Sequence, residues 1–184
     1  MIIVLIGKTS SGKTSIVNKL ISEHNFKKIV TFTSRPKRKR EVNNVDYHFI
    51  TKKEFKGKID EGFFVEWKAY TTVEDVWYYG TALEDLKNVE NNCVIILTPD
   101  GFREVKDKLE DDITSIYIYA NNLTIKKRLI ARGDNPEEAK RRLEQDNEDF
   151  KGVENEVDRI VYNNDGTNID DVVNKILEFL EEVN

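Results

Sequence analysis

The stretch MIIVLIGKTSSGKT, residues 1 to 14, decides the fold of this protein. Five apolar residues, Ile2 to Ile6, run directly into Gly7, and the residues from Gly7 to Thr14 fit the pattern G-x-x-x-x-G-K-[ST]. A short apolar run that ends at a glycine is typical of a strand buried on both faces in a parallel sheet. The stretch therefore predicts a buried strand, a glycine loop and a helix, in that order.

The glycine loop also predicts a ligand. Its glycines let the backbone curl so that N–H groups and the helix N-terminus face a polyphosphate. Lys13 then reaches the terminal phosphates, and the Thr14 hydroxyl is available to Mg²⁺. The alternative is a glycine turn that precedes a helix by chance, which the flanking strand and helix disfavour. We therefore expect a nucleoside triphosphate with magnesium, held by Gly7, Ser10, Ser11, Gly12, Lys13, Thr14 and Ser15.

The composition describes one soluble globular domain. The chain has 184 residues, enough for a hydrophobic core with an inserted subdomain, and its 39% hydrophobic and 34% charged residues argue against disorder. The formal net charge of -5 argues against general nucleic-acid binding. Motor, switch and kinase proteins all share the glycine loop, so a second substrate has to be sought elsewhere in the chain.

Apolar runs and cysteine content bear on where the protein works. The longest apolar runs, Met1 to Ile6 and Cys93 to Leu97, are too short to cross a bilayer, and the first lacks a basic leader and a cleavage site. Cys93 is the only cysteine, which excludes an intramolecular disulfide and a cysteine-based zinc site. We expect a cytoplasmic protein without membrane contact, because a chain with one cysteine suits a reducing compartment.

Strand-like and helical segments alternate along the chain. Further apolar runs occur at Ile29 to Phe32, Cys93 to Leu97, Ile116 to Tyr119 and Arg159 to Tyr162. Helical spacing is found in the set Leu123, Ile125, Leu129 and Ile130, and again from Ile169 to Leu180, where Asn168 is placed as the N-cap. This alternation predicts an open parallel sheet with ligands at the carboxyl ends of its strands.

Two insertions interrupt the alternation. The segment from Ser34 to Thr81 contains aromatic-rich strand-like pieces and predicts a small mixed subdomain. The segment from Asp134 to Phe150 begins with Asn135, Pro136 and Glu138, a cap, a first-turn proline and a capping-box acid. It predicts a polar helix outside the core.

The first insertion begins with a cluster of cations, since TSRPKRKR, residues 33 to 40, places five cations in six positions. Here the sequence resembles the guanylate kinase family, whose signature is T-T-R-x-P-R-x-G-E-x-x-G-x-D-Y-x-F. The matching residues are Thr33, Arg35, Arg38, Glu41, Asp46, Tyr47 and Phe49. The resemblance continues over essentially the whole chain, in Phe64 to Trp67, Tyr78 to Thr81, Arg128-Leu129, Arg132-Gly133, Arg142-Leu143 and Ile160 to Asp165.

The resemblance implies a fold and a reaction. The expected fold is α/β, a three-layer P-loop kinase fold with a parallel central sheet, an inserted mixed α/β nucleoside-monophosphate-binding subdomain and a helical lid. Residues 1–33, 82–133 and 151–184 would form the core of a single domain, 34–81 the GMP-binding subdomain and 134–150 the lid. The expected reaction is transfer of the γ-phosphoryl group of ATP to GMP or dGMP, with Mg²⁺ as cofactor.

The resemblance also implies the roles of particular residues. Arg35, Arg38, Tyr47 and Tyr79 would surround the phosphate of GMP, Glu66 would accept from the guanine N1–H and 2-amino group, and Thr31 and Thr81 would add hydroxyl contacts. Arg132 and Arg142 would close over the transferring group and, with Lys13 and Arg38, form the catalytic set. Arg128 and Asn163 would contact ATP, with Asn163 at the adenine.

Several alternatives stay open from the sequence. The usual acids of the family fall on Ile96 and Thr98, so a kinase of the same fold acting on another phosphorylated small molecule is one alternative. A catalytically inactive guanylate-kinase-like module that binds proteins is another, although the glycine loop is intact. Solvated loop charge or a localisation signal would explain Lys37, Lys39 and Arg40. Tyr47 and Tyr79 could instead be core aromatics. The lid arginines could instead form ion pairs with Glu137, Glu138 or Glu144. The expected partners are ATP and GMP alone, bound by a monomer or homodimer.

Overall fold

The computed structural model describes residues 1–39, 41–71, 75–87, 89, 92–109 and 112–183. Along the chain the strands are β1 Ile2–Ile6, β2 Lys27–Lys28, β3 Phe32–Thr33, β4 His48–Phe49, β5 Phe64–Thr71, β6 Val76–Ala82, β7 Cys93–Leu97, β8 Ile113–Tyr119 and β9 Arg159–Tyr162. The helices are α1 Lys13–His24, α2 Lys52–Asp60, α3 Leu83–Lys87, α4 Pro99–Leu109, α5 Asn122–Arg132, α6 Pro136–Asp149 and α7 Ile169–Glu182.

The central sheet has five parallel strands in the order β2-β7-β1-β8-β9. Strand β1 lies in the middle, with Ile2 to Ile6 in register with Cys93 to Leu97 on one side and Ile113 to Tyr117 on the other. This position explains the unbroken apolar sequence of β1, because a strand with neighbours on both edges and helices on both faces meets no water. The predicted α/β class with a parallel central sheet is confirmed.

Helices cover both faces of this sheet and give three layers. Ile3 and Leu5 of β1 pack on one face with residues of α1 and α7, while Val4 and Ile6 pack on the other with Phe102 of α4. Alternate residues of a strand point to opposite faces, so one strand supplies both halves of the core. Each fully buried aliphatic side chain of this kind contributes roughly 1.5–3 kcal/mol to folding.

A second sheet forms the inserted region and has the order β4-β3-β6-β5, with one parallel and two antiparallel pairings. The predicted core strand at Ile29 to Phe32 is wrong. The edge strand of the central sheet is Lys27–Lys28, and Phe32 pairs instead with Gly80 of β6. The apolar run does not form one strand, because Ile29 bonds to Val94 of the central sheet whereas Phe32 pairs in the second sheet.

An irregularity in β5 changes which of its side chains are buried. The register with β6 shifts between Phe64 and Glu66, which is the signature of a β-bulge. Three successive residues, Phe64, Val65 and Glu66, are therefore all buried, which a regular strand with alternating faces does not allow. Val65 packs with core residues of β1, β7 and α4, and Glu66 is buried as well.

Helix α6, which we call the lid helix, has the expected cap. The Asn135 side chain accepts from the backbone N–H groups of Glu137 and Glu138, and Pro136 begins the helix. The predicted capping-box role of Glu138 is wrong, because its carboxylate accepts from two arginine side chains of the same helix. The helix is polar, with Leu143 as its buried residue.

The buried face of α5 differs from the predicted apolar stripe. Ile125 and Leu129 are fully buried, whereas Leu123 is 65% exposed and Ile130 is 77% exposed. The buried pair is four residues apart and covers a narrower face than the sequence spacing indicated. None of the helices in the described ranges combines the length and apolar content needed to span a bilayer.

The start of α7 provides a test of the fold. Asn168 accepts from the Asp170 N–H at 3.0 Å, so Asn168→Ala removes the cap, and we expect it to lower the free energy of unfolding by about 1 kcal/mol. Chemical denaturation measures the change. Asn174→Ala, on the exposed face of the same helix, is the matched control and should be neutral or slightly stabilising, because alanine favours helix interiors. Equal losses in the two variants would contradict the assigned cap.

Candidate functional site

The glycine loop joins β1 to α1 and turns back on itself. The carbonyl of Lys8 accepts from the Ser11 N–H at 3.2 Å, and Ser10 takes a left-handed conformation with φ of 53°. The Lys13 Nζ donates to the carbonyls of Gly7 at 2.6 Å and Lys8 at 2.9 Å. The lysine thus lies along the loop, where a phosphate held by the loop would meet its ammonium group.

The charge of Lys13 is sensitive to its surroundings. Burial lowers the pKa of Lys13 to about 8, and the Asp146 carboxylate of the lid helix acts in the opposite direction. The group is still mainly an ammonium ion at neutral pH. A phosphate beside it would favour the charged form further, because an adjacent anion stabilises the cation.

Two side chains support the loop from behind. The Asn163 amide donates to the Ser11 carbonyl at 2.8 Å, and Arg128 donates to the Ser10 carbonyl at 3.2 Å and to Asn163 Oδ1 at 3.3 Å. Gly12 has φ of +102°, and a Cβ there would lie 2.2 Å from the Asn163 Nδ2, so any other residue would strain the backbone and displace Asn163. The structure places Asn163 behind the loop, and its predicted contact with adenine stays a prediction.

The first turn of α1 holds the residues expected to meet the metal. Thr14 and Ser15 are exposed at the start of α1, next to Lys13, and Ser11 is buried within the loop. Over the described part of the chain, no group of three or more His, Cys, Asp or Glu side chains is arranged to hold a metal ion. A Mg²⁺ ion at Thr14 therefore requires phosphate oxygens and water as further ligands, which is the usual way this ion is bound with nucleotides.

A cavity of about 360 Å³ extends from the glycine loop toward the second sheet. Its walls include Gly7 and Lys13 at one end, and at the other end five of the residues predicted to bind GMP, namely Thr31, Arg38, Tyr47, Glu66 and Tyr79. This volume is typical of a small-molecule site. Tyr47 and Tyr79 face each other edge-on at 6.0 Å, and both line the cavity rather than forming only core contacts.

Glu66 is the buried carboxylate of the cavity, with 8% of the residue exposed. The Thr81 hydroxyl donates to Glu66 Oε1 at 2.5 Å. Burial raises the pKa of Glu66 to about 7, while the bond from Thr81 opposes this shift. Thr81 is itself fully buried, so it orients Glu66 from behind rather than facing the open cavity.

The two arginines of the basic stretch have different environments. Arg35 has a side chain that is 4% exposed, and it donates to both oxygens of Glu41, at 3.0 and 2.7 Å. Its guanidinium lies 5.6 Å from the centre of the Tyr47 ring. Arg38 is exposed and lines the cavity. Lys37 and Lys39 are exposed as expected for solvated loop charge, and Arg40 lies outside the described residues.

The arginines near the lid are held by acids. Arg142 lines the cavity and donates to Glu138 at 2.7 Å, which agrees with the ion-pair alternative. Glu138 also accepts from Arg141 at 2.8 Å, and these bonds lower the pKa of Glu138 to about 2, with Arg141 the larger cause. Arg132 is paired with Asp134 and is not among the residues that line the cavity. A position of Arg132 over a transferring group would require lid movement.

Other cavity residues were missed at the sequence level: Thr9, Lys68, Tyr70, Trp77, Arg141, Gln145, Asp146 and Asp149. Part of the signal was available. Alternation along β5 puts Lys68 and Tyr70 on the same face as Glu66, and Asp146 and Asp149 follow Arg142 by four and seven residues on the lid helix. Strand and helix periodicity, counted from a predicted site residue, therefore identifies further cavity residues that lie outside the motif.

Comparisons with known proteins agree with this geometry. The family model for guanylate kinase matches residues 1–183. A guanylate kinase of Malacoplasma penetrans is 31% identical over 184 residues, covering 96% of this chain and 91% of that protein. A guanylate kinase of Sulfurimonas denitrificans is 34% identical over 170 residues, covering 88% and 79%.

A solved structure supports the same fold. The crystal structure of guanylate kinase from Anaplasma phagocytophilum aligns with a TM-score of 0.72 at 21% identity, covering 99% of this chain and 85% of that one. At this identity the likeness shows the fold alone. The match of the family model to nearly the whole sequence and the relatives above 30% identity show more, and the chain belongs to the guanylate kinase family.

Proposed function

We propose that this protein transfers the γ-phosphoryl group of ATP to GMP, and to dGMP, giving ADP and the corresponding diphosphate. The observation that carries the proposal is that one cavity has both the glycine loop with Lys13 and the buried Glu66 with Arg38 in its walls. Family membership supports the same reaction.

Binding of the donor uses the loop and the start of α1. The loop N–H groups and the helix N-terminus receive the phosphates of ATP, and Lys13 neutralises charge at the terminal phosphate. Thr14 is the residue that would hold Mg²⁺ together with the nucleotide. The ion, when bound, neutralises charge shared between the phosphates.

Binding of the acceptor uses the second sheet. Arg38, Tyr47 and Tyr79 present one guanidinium and two phenol groups to the cavity, a set suited to a phosphate dianion. Arg35 supports this set indirectly, because its guanidinium pairs with Glu41 and lies over the Tyr47 ring. Its predicted direct contact with GMP would require the guanidinium to leave Glu41. The acceptor phosphate then lies between these groups and Lys13.

Glu66 supplies the base selectivity. As a carboxylate it accepts from the N1–H and 2-amino group of guanine, whereas adenine presents an acceptor at N1 and would leave the carboxylate unpaired. An unpaired buried charge is costly, so this contact discriminates strongly between the two purines. Thr31 lines the same cavity, and Thr81 keeps Glu66 oriented.

The lid completes the charge balance. Bringing two polyanions together is the main obstacle to phosphoryl transfer, so positioning and neutralisation account for most of the catalysis. Arg142 already faces the cavity, and Arg132 would join it when the lid closes and excludes water. We place this activity in the cytoplasm, in a monomer or homodimer with ATP and GMP as its partners.

The decisive experiment is a coupled assay of ADP release with ATP, Mg²⁺ and one acceptor at a time. We expect turnover with GMP and dGMP and little with AMP, UMP or ribose phosphates. Lys13→Ala should lower kcat by about 100-fold or more, because it removes charge stabilisation from the transferring group. Circular dichroism controls for folding.

Two outcomes would redirect the assignment. Turnover of AMP equal to that of GMP would show a kinase of the same fold with another acceptor. Absence of ADP release with every acceptor, together with binding of a phosphopeptide, would show a protein-binding module.

The ionisation of Glu66 predicts a pH dependence. The carboxylate form binds guanine, and its pKa of about 7 means that raising the pH ionises more of the free enzyme. We expect kcat/KM for GMP to rise about tenfold between pH 6 and pH 8 as the ionised fraction increases. Initial rates at low GMP and saturating ATP measure it.

A variant separates Glu66 from the substrate's own titration, since a phosphate monoester also ionises near pH 6. Glu66→Gln cannot titrate, so its profile contains only the phosphate and the remaining groups. Its kcat/KM should be lower throughout, and the rise centred near pH 7 should be absent. An unchanged profile in this variant would assign the rise to another group.

A further inference from the structure

The lid helix contacts the glycine loop through two polar side chains that the reaction above does not use. The backbone N–H of Thr9 donates to Asp146 Oδ2 at 2.5 Å. The neighbouring Lys8 Nζ donates to Asn147 Oδ1 at 2.6 Å. Two successive residues of the lid therefore bind two successive residues of the loop.

The Asp146 carboxylate lies where the loop would bind an anion such as a phosphate. Asp146 lines the cavity together with Gly7, Thr9 and Lys13. Its partner is a backbone N–H of the segment whose N–H groups and lysine form the phosphate site. A carboxylate oxygen bonded to such an N–H makes the same charge-assisted bond that a phosphate oxygen would make.

The electrostatic surroundings agree with this assignment. The Asp146 carboxylate raises the pKa of both Lys8 and Lys13 against the lowering caused by burial. Asp146 is half-buried, and burial, with the Asp149 carboxylate adding to it, raises its pKa above the ordinary value, while the Thr9 N–H and the two lysines act in the opposite direction. The carboxylate is thus bonded to a loop N–H and lies in the field of Lys13, the cation that the terminal phosphate of ATP needs.

Two anions cannot share these groups without strong repulsion in a partly desolvated site. We propose that Asp146 is an internal competitor of ATP: its carboxylate occupies the Thr9 end of the phosphate site in the free enzyme, and the terminal phosphate displaces it. The inference rests on the proposed function only in assigning the loop to ATP.

Displacement of Asp146 would also affect the part of the lid helix that carries Arg142. Arg142 lies one helical turn before Asp146 on the same helix and lines the cavity. Phe150 lies one turn after Asp146 and is buried against Tyr117, with ring centres 5.8 Å apart. Loss of the Asp146 bond removes one of the two side-chain contacts that join the lid helix to the loop, one turn from Arg142. Donor binding and lid position are thereby coupled.

The test is calorimetric titration of the full-length protein with ATP and Mg²⁺ in the absence of GMP. Asp146→Asn keeps the shape of the side chain but removes its charge, and we expect the Kd for ATP to fall about tenfold. Asp146→Ala, which also removes the bond to Thr9, should lower it at least as much. In the steady state, KM for ATP should fall in both variants while KM for GMP stays within about twofold.

Glu148→Gln is the matched control. Glu148 is on the same helix, is exposed and pairs with Lys151, so this variant changes the net charge equally without touching the loop. Its Kd for ATP should equal that of the wild type, which separates the local contact from a general charge effect.

The outcomes distinguish the two proposals. Unchanged or weaker ATP binding in the Asp146 variants, with a wild type that binds ATP and releases ADP with GMP, overturns the competitor role alone. Failure of both variants to fold also overturns it, because Asp146 would then be a structural residue. A wild type that does not bind ATP overturns the proposed function instead.

Discussion

The parallel pairing of β1 with β7 and β8 is the interaction on which the site depends. Hydrogen bonds along both edges fix Ile2 to Ile6 in register with its neighbours, so β1 and β7 end at one level and β8 continues to Tyr119. The glycine loop leaves β1 at that level, and Asn163 after β9 supports it from behind. A loop with left-handed residues and close backbone packing keeps its shape only on such a rigid edge, because the strain is borne by the surrounding core.

The second sheet brings an acid into a site made for anions. The bulge in β5 buries Glu66 next to a cavity that also holds Arg38 and Lys13, and burial of the carboxylate is unfavourable by itself. The Thr81 hydroxyl and the raised pKa limit this cost in the free enzyme. In the proposed function, guanine would donate two hydrogen bonds to the ionised form, so substrate binding and recognition of the base would depend on the same buried charge.

The lid carries charges of both signs on one face. Arg142 is suited to the transferring phosphoryl group, whereas Asp146, one turn further, bonds to the loop that the donor requires. Arg142 of the lid helix and Arg132 at the end of α5 both have acidic partners, Glu138 and Asp134. In the proposed reaction, substrate phosphates would exchange these internal ion pairs for intermolecular ones, which would link nucleotide binding to movement of the lid.

Local sequence by itself determined the loop from Gly7 to Thr14, the buried strands β1 and β7, the edge strand β9 and the cap of α7, because each follows from a short pattern of backbone and side-chain preferences. Matching to a family signature located Arg38, Tyr47, Glu66 and Tyr79, which do share one cavity. Only the tertiary structure decided that Phe32 pairs in the second sheet, that Arg35 is taken up by Glu41, and that Asp146 bonds to Thr9. These contacts either join residues that are distant in sequence or select one of several possible partners of similar interaction energy. The three-dimensional packing of the chain determines which contact forms.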